Sequence, residues 1–150
     1  MKEENQIVAI LKQYGLRLTR TRRAVLELLL RKHTPLSAPK ILSELEKVSI
    51  RVNKTTVYRE LEKLAAIGLL QRMQLQDRKQ YYELTARGHH HHFVCTICHE
   101  ITDIEIDEST VLAKAERLGR QAGFHITTHA VEFYGQCAAC LKTFLFHQSL

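Results

Sequence analysis

The apolar positions of the first half recur at helical spacing. Ile7, Ile10, Leu11 and Tyr14 form one stripe, and Gly15 ends it. Thr19 can cap a second helix, with Ala24, Val25, Leu28 and Leu29 inside and Arg20, Arg22, Arg23 and Arg31 outside. Ser37 can cap a third, with Pro39 tolerated in its first turn and Ile41, Leu42, Leu45 and Val48 as its buried stripe. Asn53 can cap a fourth, whose Val57, Leu61, Leu64 and Ala65 face inward and which Gly68 closes. The pattern then turns strand-like. Residues 69–75 and 79–84 read as a hairpin, turning at Gln76-Asp77-Arg78. Helices followed by a hairpin is the order of a winged helix, in which one helix enters the major groove and the hairpin lies against the backbone. Lys54, Thr55, Tyr58 and Arg59 share the outer face of the fourth helix. That face suits a groove reader; an ordinary solvated face is the plainer alternative.

Beyond a short polar linker at 85–88 the spacing predicts strands at 90–95 and 101–106, the second with alternating Ile101, Ile104 and Ile106. A helix over about 109–122 carries Val111, Ala115 and Leu118 as its stripe, with Gly123 as cap. A third strand is expected over 126–134, and a terminal helix or tail over 141–147. The overall class is α+β, with one module over 1–86 and a second over 87–150.

Charge sharpens that division. The net charge of +6 is uneven: residues 1–88 hold 18 Lys or Arg against 9 Asp or Glu, and residues 89–150 hold 4 against 7. A basic first module most simply binds a polyanion such as nucleic acid. The second module holds all four cysteines and eight of the nine histidines. No apolar run is long enough for a membrane span. The polar start MKEENQ has no apolar segment after it, so no signal peptide is expected and the cytoplasm is the expected compartment.

Residues 89–98 read HHHHFVCTIC, and a second Cys-x-x-Cys pair stands at Cys137 and Cys140. Two such knuckles can wrap one zinc, because each turns two thiolates toward one point and tetrahedral zinc takes four. Disulfides are disfavoured in a reducing compartment. A small second module has little core of its own, so a zinc staple is physically needed. Side chains alternate along a strand. His89 and His91 would face one way and His90 and His92 the other, so one strand can feed two metal sites; a solvated His-rich loop is the alternative.

These residues together resemble the ferric uptake regulator (Fur) family of bacterial metal-dependent repressors over nearly the whole chain. Gly15-Leu16-Arg17-Leu18-Thr19 with Arg22 is similar to the family's opening, and Thr56-Val57-Tyr58-Arg59 to its recognition-helix motif. Tyr82-Glu83-Leu84, the histidine run, Cys95-x-x-Cys98 and Tyr134-Gly135-Gln136-Cys137-x-x-Cys140 follow in the family's order.

The resemblance implies an N-terminal winged-helix DNA-binding domain and a small α/β dimerisation domain with a zinc-stapled antiparallel sheet. It implies a homodimer in which bound metal sets the spacing of two winged helices and which then binds palindromic double-stranded operator DNA. Cys95, Cys98, Cys137 and Cys140 would hold structural Zn2+. Glu83, His90, His92 and Asp103 would form the regulatory site, and His89, His91 and His129 a second one. Lys12, Arg20, Lys54, Thr55, Tyr58 and Arg59 would meet DNA.

This chain departs from the family pattern at several points. The histidine often found before the third helix falls at Pro35, with His33 two residues earlier. His91 stands where the family often has Asp. The usual glutamate of the second site falls near Leu112 by direct spacing, with Glu108 the nearby carboxylate. The minor-groove lysine falls near Gln13, where Lys12 can substitute.

Nitrogen and oxygen ligands suit Fe2+, Mn2+ or Zn2+, and the reading ranks Fe2+ first and Zn2+ close behind. A zinc-, manganese- or peroxide-responsive member of the same family is the nearest alternative. From other classes, a metal-storage protein or metallochaperone leaves the basic module unexplained. A zinc hydrolase or deaminase lacks its motifs, since neither HExxH nor the His-x-Glu with Pro-Cys-x-x-Cys signature is present.

Overall fold

The structure, a computed structural model, describes residues 2–75 and 78–147, with side chains described for 5–75 and 78–142. The chain divides into two units, Met1–Gly88 and His89–Leu150. Four helices open the first: α1 (Lys2–Gln13), α2 (Arg20–Arg31), α3 (Ala38–Lys47) and α4 (Lys54–Ala66). Local glycines stop the first and last of them. Gly15 adopts φ +62, and Leu16 N–H returns to the Leu11 carbonyl at 2.8 Å. Gly68 adopts φ +75, and Leu69 N–H closes on the Leu64 carbonyl at 3.0 Å. Only glycine takes this left-handed geometry without a Cβ penalty. Thr19 and Asn53 cap as expected, accepting from the backbone N–H of Arg22 and Thr55 at 3.2 and 2.9 Å.

Ser37 occupies the N-cap position of α3 but makes no side-chain cap. It lies instead in a two-residue strand, β1 (Leu36–Ser37), paired with Tyr81. Among the described residues β1 joins β2 (Leu70–Gln74) and β3 (Gln80–Leu84) in an antiparallel sheet of order β1-β3-β2. Gln76 and Asp77 of the expected turn lie outside the described residues. The core of this unit draws Ile7 and Leu11 from α1, Val25 and Leu29 from α2, Ile41 and Leu45 from α3, and Val57, Leu61 and Leu64 from α4. Val48, expected in the α3 stripe, lies just past the end of that helix and is exposed.

Arg22 corrects the expected outer face of α2. It is buried at 4% exposure, grips both carboxylate oxygens of Glu60 on α4, and donates to the Arg17 carbonyl. One side chain therefore ties α2, α4 and the preceding loop together. Removing one partner of a buried pair leaves the other charge uncompensated. Arg22→Ala should destabilise the first unit by about 3–5 kcal/mol; chemical denaturation checks this, and a loss below about 1 kcal/mol would mean that water replaces the guanidinium.

The second unit contains β4 (His91–Cys95), β5 (Ile101–Ile104), α5 (Ser109–Gln121), β6 (Glu132–Gly135) and α6 (Ala138–His147). Its sheet has the order β5-β4-β6 among the described residues. The pairing of β4 with β5 is antiparallel, but that of β4 with β6 is parallel, so the sheet is mixed rather than antiparallel throughout. The reason lies in the connection: antiparallel β5 brings the chain back to the end where β4 starts, and the long link through α5 begins and ends there, so β6 runs alongside β4 in the same direction. β6 is shorter than the expected 126–134 strand, and β5 stops at Ile104, leaving Ile106 exposed. The α5 stripe also differs from expectation. Val111 and Leu118 are 69% and 51% exposed, so these two positions of the α5 stripe are left uncovered among the described residues.

Candidate functional site

His91 and His92 open β4, one residue later than the expected strand start, and His89 and His90 precede it, yet the four divide with the same two-residue alternation. His89 and His91 meet ring to ring at 4.7 Å, and His90 and His92 at 4.9 Å. On the first side His129 and Glu108 complete a cluster in which one donor atom from each of the four residues lies within 4.8 Å of the others. Glu108 stands at the N-cap position of α5, where a carboxylate commonly caps the helix; here Asp107 takes the Ser109 N–H at 3.0 Å instead. That backbone hydrogen bond holds the Asp107 carboxyl below its ordinary range. The side chain of Glu108 is thereby free to reach the imidazoles.

The electrostatics of this cluster fit a cation. His91 Nδ1 lies 3.0 Å from the Val131 carbonyl, which can only accept, so Nδ1 carries a proton. In the neutral ring Nε2 then presents a lone pair. It touches Glu108 Oε1, while Glu108 Oε2 lies 2.7 Å from His129 Nε2 and 3.7 Å from His89 Nε2. His91 Nε2 and both Glu108 oxygens are buried without a hydrogen-bond partner. Lone pairs facing one another in a buried site need a proton or a metal between them. Val131 was not a sequence candidate, because a backbone carbonyl leaves no mark in the residue type. Glu108, the nearby carboxylate, lies in this cluster, whereas Leu112 offers no ligand atom.

On the opposite side His90 and His92 approach Asp103, with Nε2 to carboxylate distances of 4.0 and 3.7 Å. His92 and Asp103 are paired across β4 and β5, which fixes their common side. In the first unit Glu83, next to last in β3, is a buried carboxylate, with Oε2 3.0 Å from Arg87 Nη1. His33 is exposed between α2 and β1 and joins none of the clusters of possible ligands among the described residues.

The four cysteines also converge, each sulfur within 4.8 Å of the others. Parallel pairing is the cause. Cys95 at the end of β4 lies beside Gly135 at the end of β6, so both knuckles turn at the same end of the sheet. Thr96 locks the ends together, its N–H and hydroxyl both reaching the Gly135 carbonyl at 2.8 and 3.1 Å. The Sγ atoms of Cys98 and Cys137 are 3.7 Å apart, well beyond a disulfide bond of about 2.05 Å. Backbone N–H groups of Cys98, Cys137 and Ile97 lower the Cys95 thiol to about 6, whereas its hydrogen bond with Cys137 raises that of Cys140 to about 12. Four clustered thiolates repel one another unless a dication sits among them, so this donor set fits zinc.

The candidate nucleic-acid face lies on α4. Val57, Leu61 and Leu64 anchor it inward, while Lys54, Thr55 and Arg59 are exposed and Tyr58 is half-buried. Lys54 Nζ lies 5.8 Å from the centre of the Tyr58 ring. The wing is tied to the same helix. Glu62 of α4 accepts from Tyr82 of β3 at 2.7 Å and from Arg72 of β2 at 3.1 Å. Desolvation, helped by that carboxylate, pushes the Tyr82 phenol up to about 12, so it remains a donor. Lys12 and Arg20 are exposed on the same unit.

Comparison with known proteins agrees with this architecture. The chain is 33% identical over 135 residues to the ferric uptake regulation protein of Neisseria gonorrhoeae, covering 89% of this chain and 92% of that one. It is 29% identical over 139 residues to the peroxide-responsive repressor of Staphylococcus aureus, covering 92% and 91%. The structure superimposes with a TM-score of 0.73, at 25% identity, on the ferric uptake regulator of Francisella tularensis with iron, covering 85% of this chain and 96% of that one. The family model described as "Ferric uptake regulator family" matches residues 13–134, and the chain, with its winged helix, paired knuckles and two-sided histidine strand, belongs to that family of metal-responsive transcription regulators rather than to an enzyme family.

Proposed function

We propose that this protein is a metal-dependent repressor that binds palindromic operators of metal-uptake or homeostasis genes as a homodimer when its regulatory site is loaded. One observation carries the reading: the run His89–His92, at and just before the start of β4, sends alternate histidines into two separate donor sets, beside a third set of four sulfurs. In this reading Cys95, Cys98, Cys137 and Cys140 hold structural zinc. Glu83, His90, His92 and Asp103 serve as the regulatory ligands. His89, His91, Glu108 and His129 hold a second ion. A bound dication supplies positive charge at the donor sets, and the residues here bind it, orient their donors and exclude water. The regulatory metal is proposed to be Fe2+ first and Zn2+ second; the relative solved with iron supports that order. The exposed Val111 and Leu118 face of α5 supports a second copy of the chain as its cover. No helix among the described residues is long and apolar enough to cross a membrane, and a cytoplasmic location is proposed.

The test is direct. Each metal is titrated into protein carrying only its knuckle zinc, and affinity for an operator selected from random duplexes is read by anisotropy. Metal binding that leaves operator affinity unchanged for every ion would sink the proposal. On the DNA side, Tyr58→Ala should weaken specific binding by about 1–3 kcal/mol, the scale of one base contact. If it lowers specific and nonspecific affinity equally, Tyr58 does not read a base.

A further inference from the structure

Glu83 and Arg87 stand four residues apart across the turn that ends the first unit. A single 3-10 turn, Thr85–Arg87, follows β3 directly, and Gly88 ends it at φ +78. The turn brings Arg87 Nη1 to 3.0 Å from Glu83 Oε2, with side-chain exposures of 19% and 4%. A buried carboxylate needs a positive partner, and the chain provides one within its own turn. A divalent cation drawn to Glu83 would share this carboxylate with the guanidinium, which already holds Oε2. An N–H donor and a metal both draw on the carboxylate lone pairs, and the guanidinium keeps its charge at any physiological pH.

We propose that Arg87 is a built-in competitor for the Glu83 carboxylate and so sets the concentration at which a divalent cation engages that carboxylate. The proposal rests on the assignment of Glu83 as a regulatory ligand. Two consequences follow from the geometry. When the carboxylate turns to a cation, the Glu83–Arg87 bond across the linker turn is lost. Replacing Arg87 with a neutral side chain of similar reach removes the charged competitor bound to the Glu83 carboxylate, so cation affinity through that carboxylate rises.

The experiment uses the full chain with knuckle zinc retained, in a His129→Ala background that weakens the other histidine cluster. Manganese(II) is the probe, and its free concentration is read by electron paramagnetic resonance. Arg87→Gln should bind manganese about tenfold more tightly, on the scale of one screened charge contact near the protein surface. Glu83→Gln should bind it about tenfold or more weakly. The double variant Arg87→Gln with Glu83→Gln should match Glu83→Gln alone, since without the carboxylate there is nothing to compete for. Unchanged or weaker binding by Arg87→Gln overturns the proposal. A double variant that still gains tenfold over Glu83→Gln also overturns it, because the effect is then long-range repulsion. Unchanged binding by Glu83→Gln strikes instead at the assignment of Glu83, which keeps the two failures distinct.

Discussion

Cys137→Ser should strip the protein of its knuckle zinc and loosen the whole second unit. The four sulfurs converge where β4 and β6 end. In such sites the metal-binding free energy, about 10–16 kcal/mol in small zinc domains, is largely folding free energy. Its loss is comparable to the entire stability of a typical domain, about 5–15 kcal/mol. The second unit has little to set against that loss: α5 contributes no buried residue, and its apolar face is exposed. Elemental analysis should show zinc falling from one per chain toward none, and sedimentation should show the dimer dissociating. Full zinc content with an intact dimer in Cys137→Ser would rule out the structural role. The first unit, with its own core and its Arg22–Glu60 tie, should keep its helical circular dichroism.

His90→Ala should abolish metal-dependent operator binding while leaving knuckle zinc and weak basal DNA affinity. A ligand shifts an equilibrium only by its differential affinity for the two states. Couplings of this kind amount to about 1–3 kcal/mol, or roughly 5- to 150-fold in affinity. Operator DNA should therefore tighten metal binding by the same factor. His89→Ala should do less, because His89 packs against His91 and His129 on the other side of the strand. Equal losses from the two variants would mean that the four histidines act as one interchangeable cluster.

Much of this was legible from residue types alone. Thr19, Asn53, Gly15 and Gly68 punctuate the first unit because capping and left-handed turns depend on neighbours within about four residues. The histidine run sorted correctly for the same reason, since strand alternation is a property of adjacent residues. What failed depended on distant parts of the chain. Arg22 falls on the arginine-rich side of α2, yet Glu60, far along the sequence, draws it inward. β1 is two residues long and exists only because β3 pairs with it. The stripe of α5 has the spacing of a buried face, but spacing does not say whether the cover comes from the same chain. Glu108 could not be chosen over a position near Leu112 until the start of α5 was placed, and Val131 acts through a carbonyl that every residue has.

The parallel pairing of β4 with β6 has a consequence in time. The staple joins Cys95 to Cys140 through a long crossover, so its last ligand emerges well after the winged helix is complete. At about 5–20 residues per second, the roughly fifty residues from Gly88 to Cys140 take about 3–10 s to synthesise. Loop closure over that span must also precede any zinc binding energy. On the proposed function, a nascent chain therefore presents its basic first unit for seconds before it acquires the half proposed to place it under metal control.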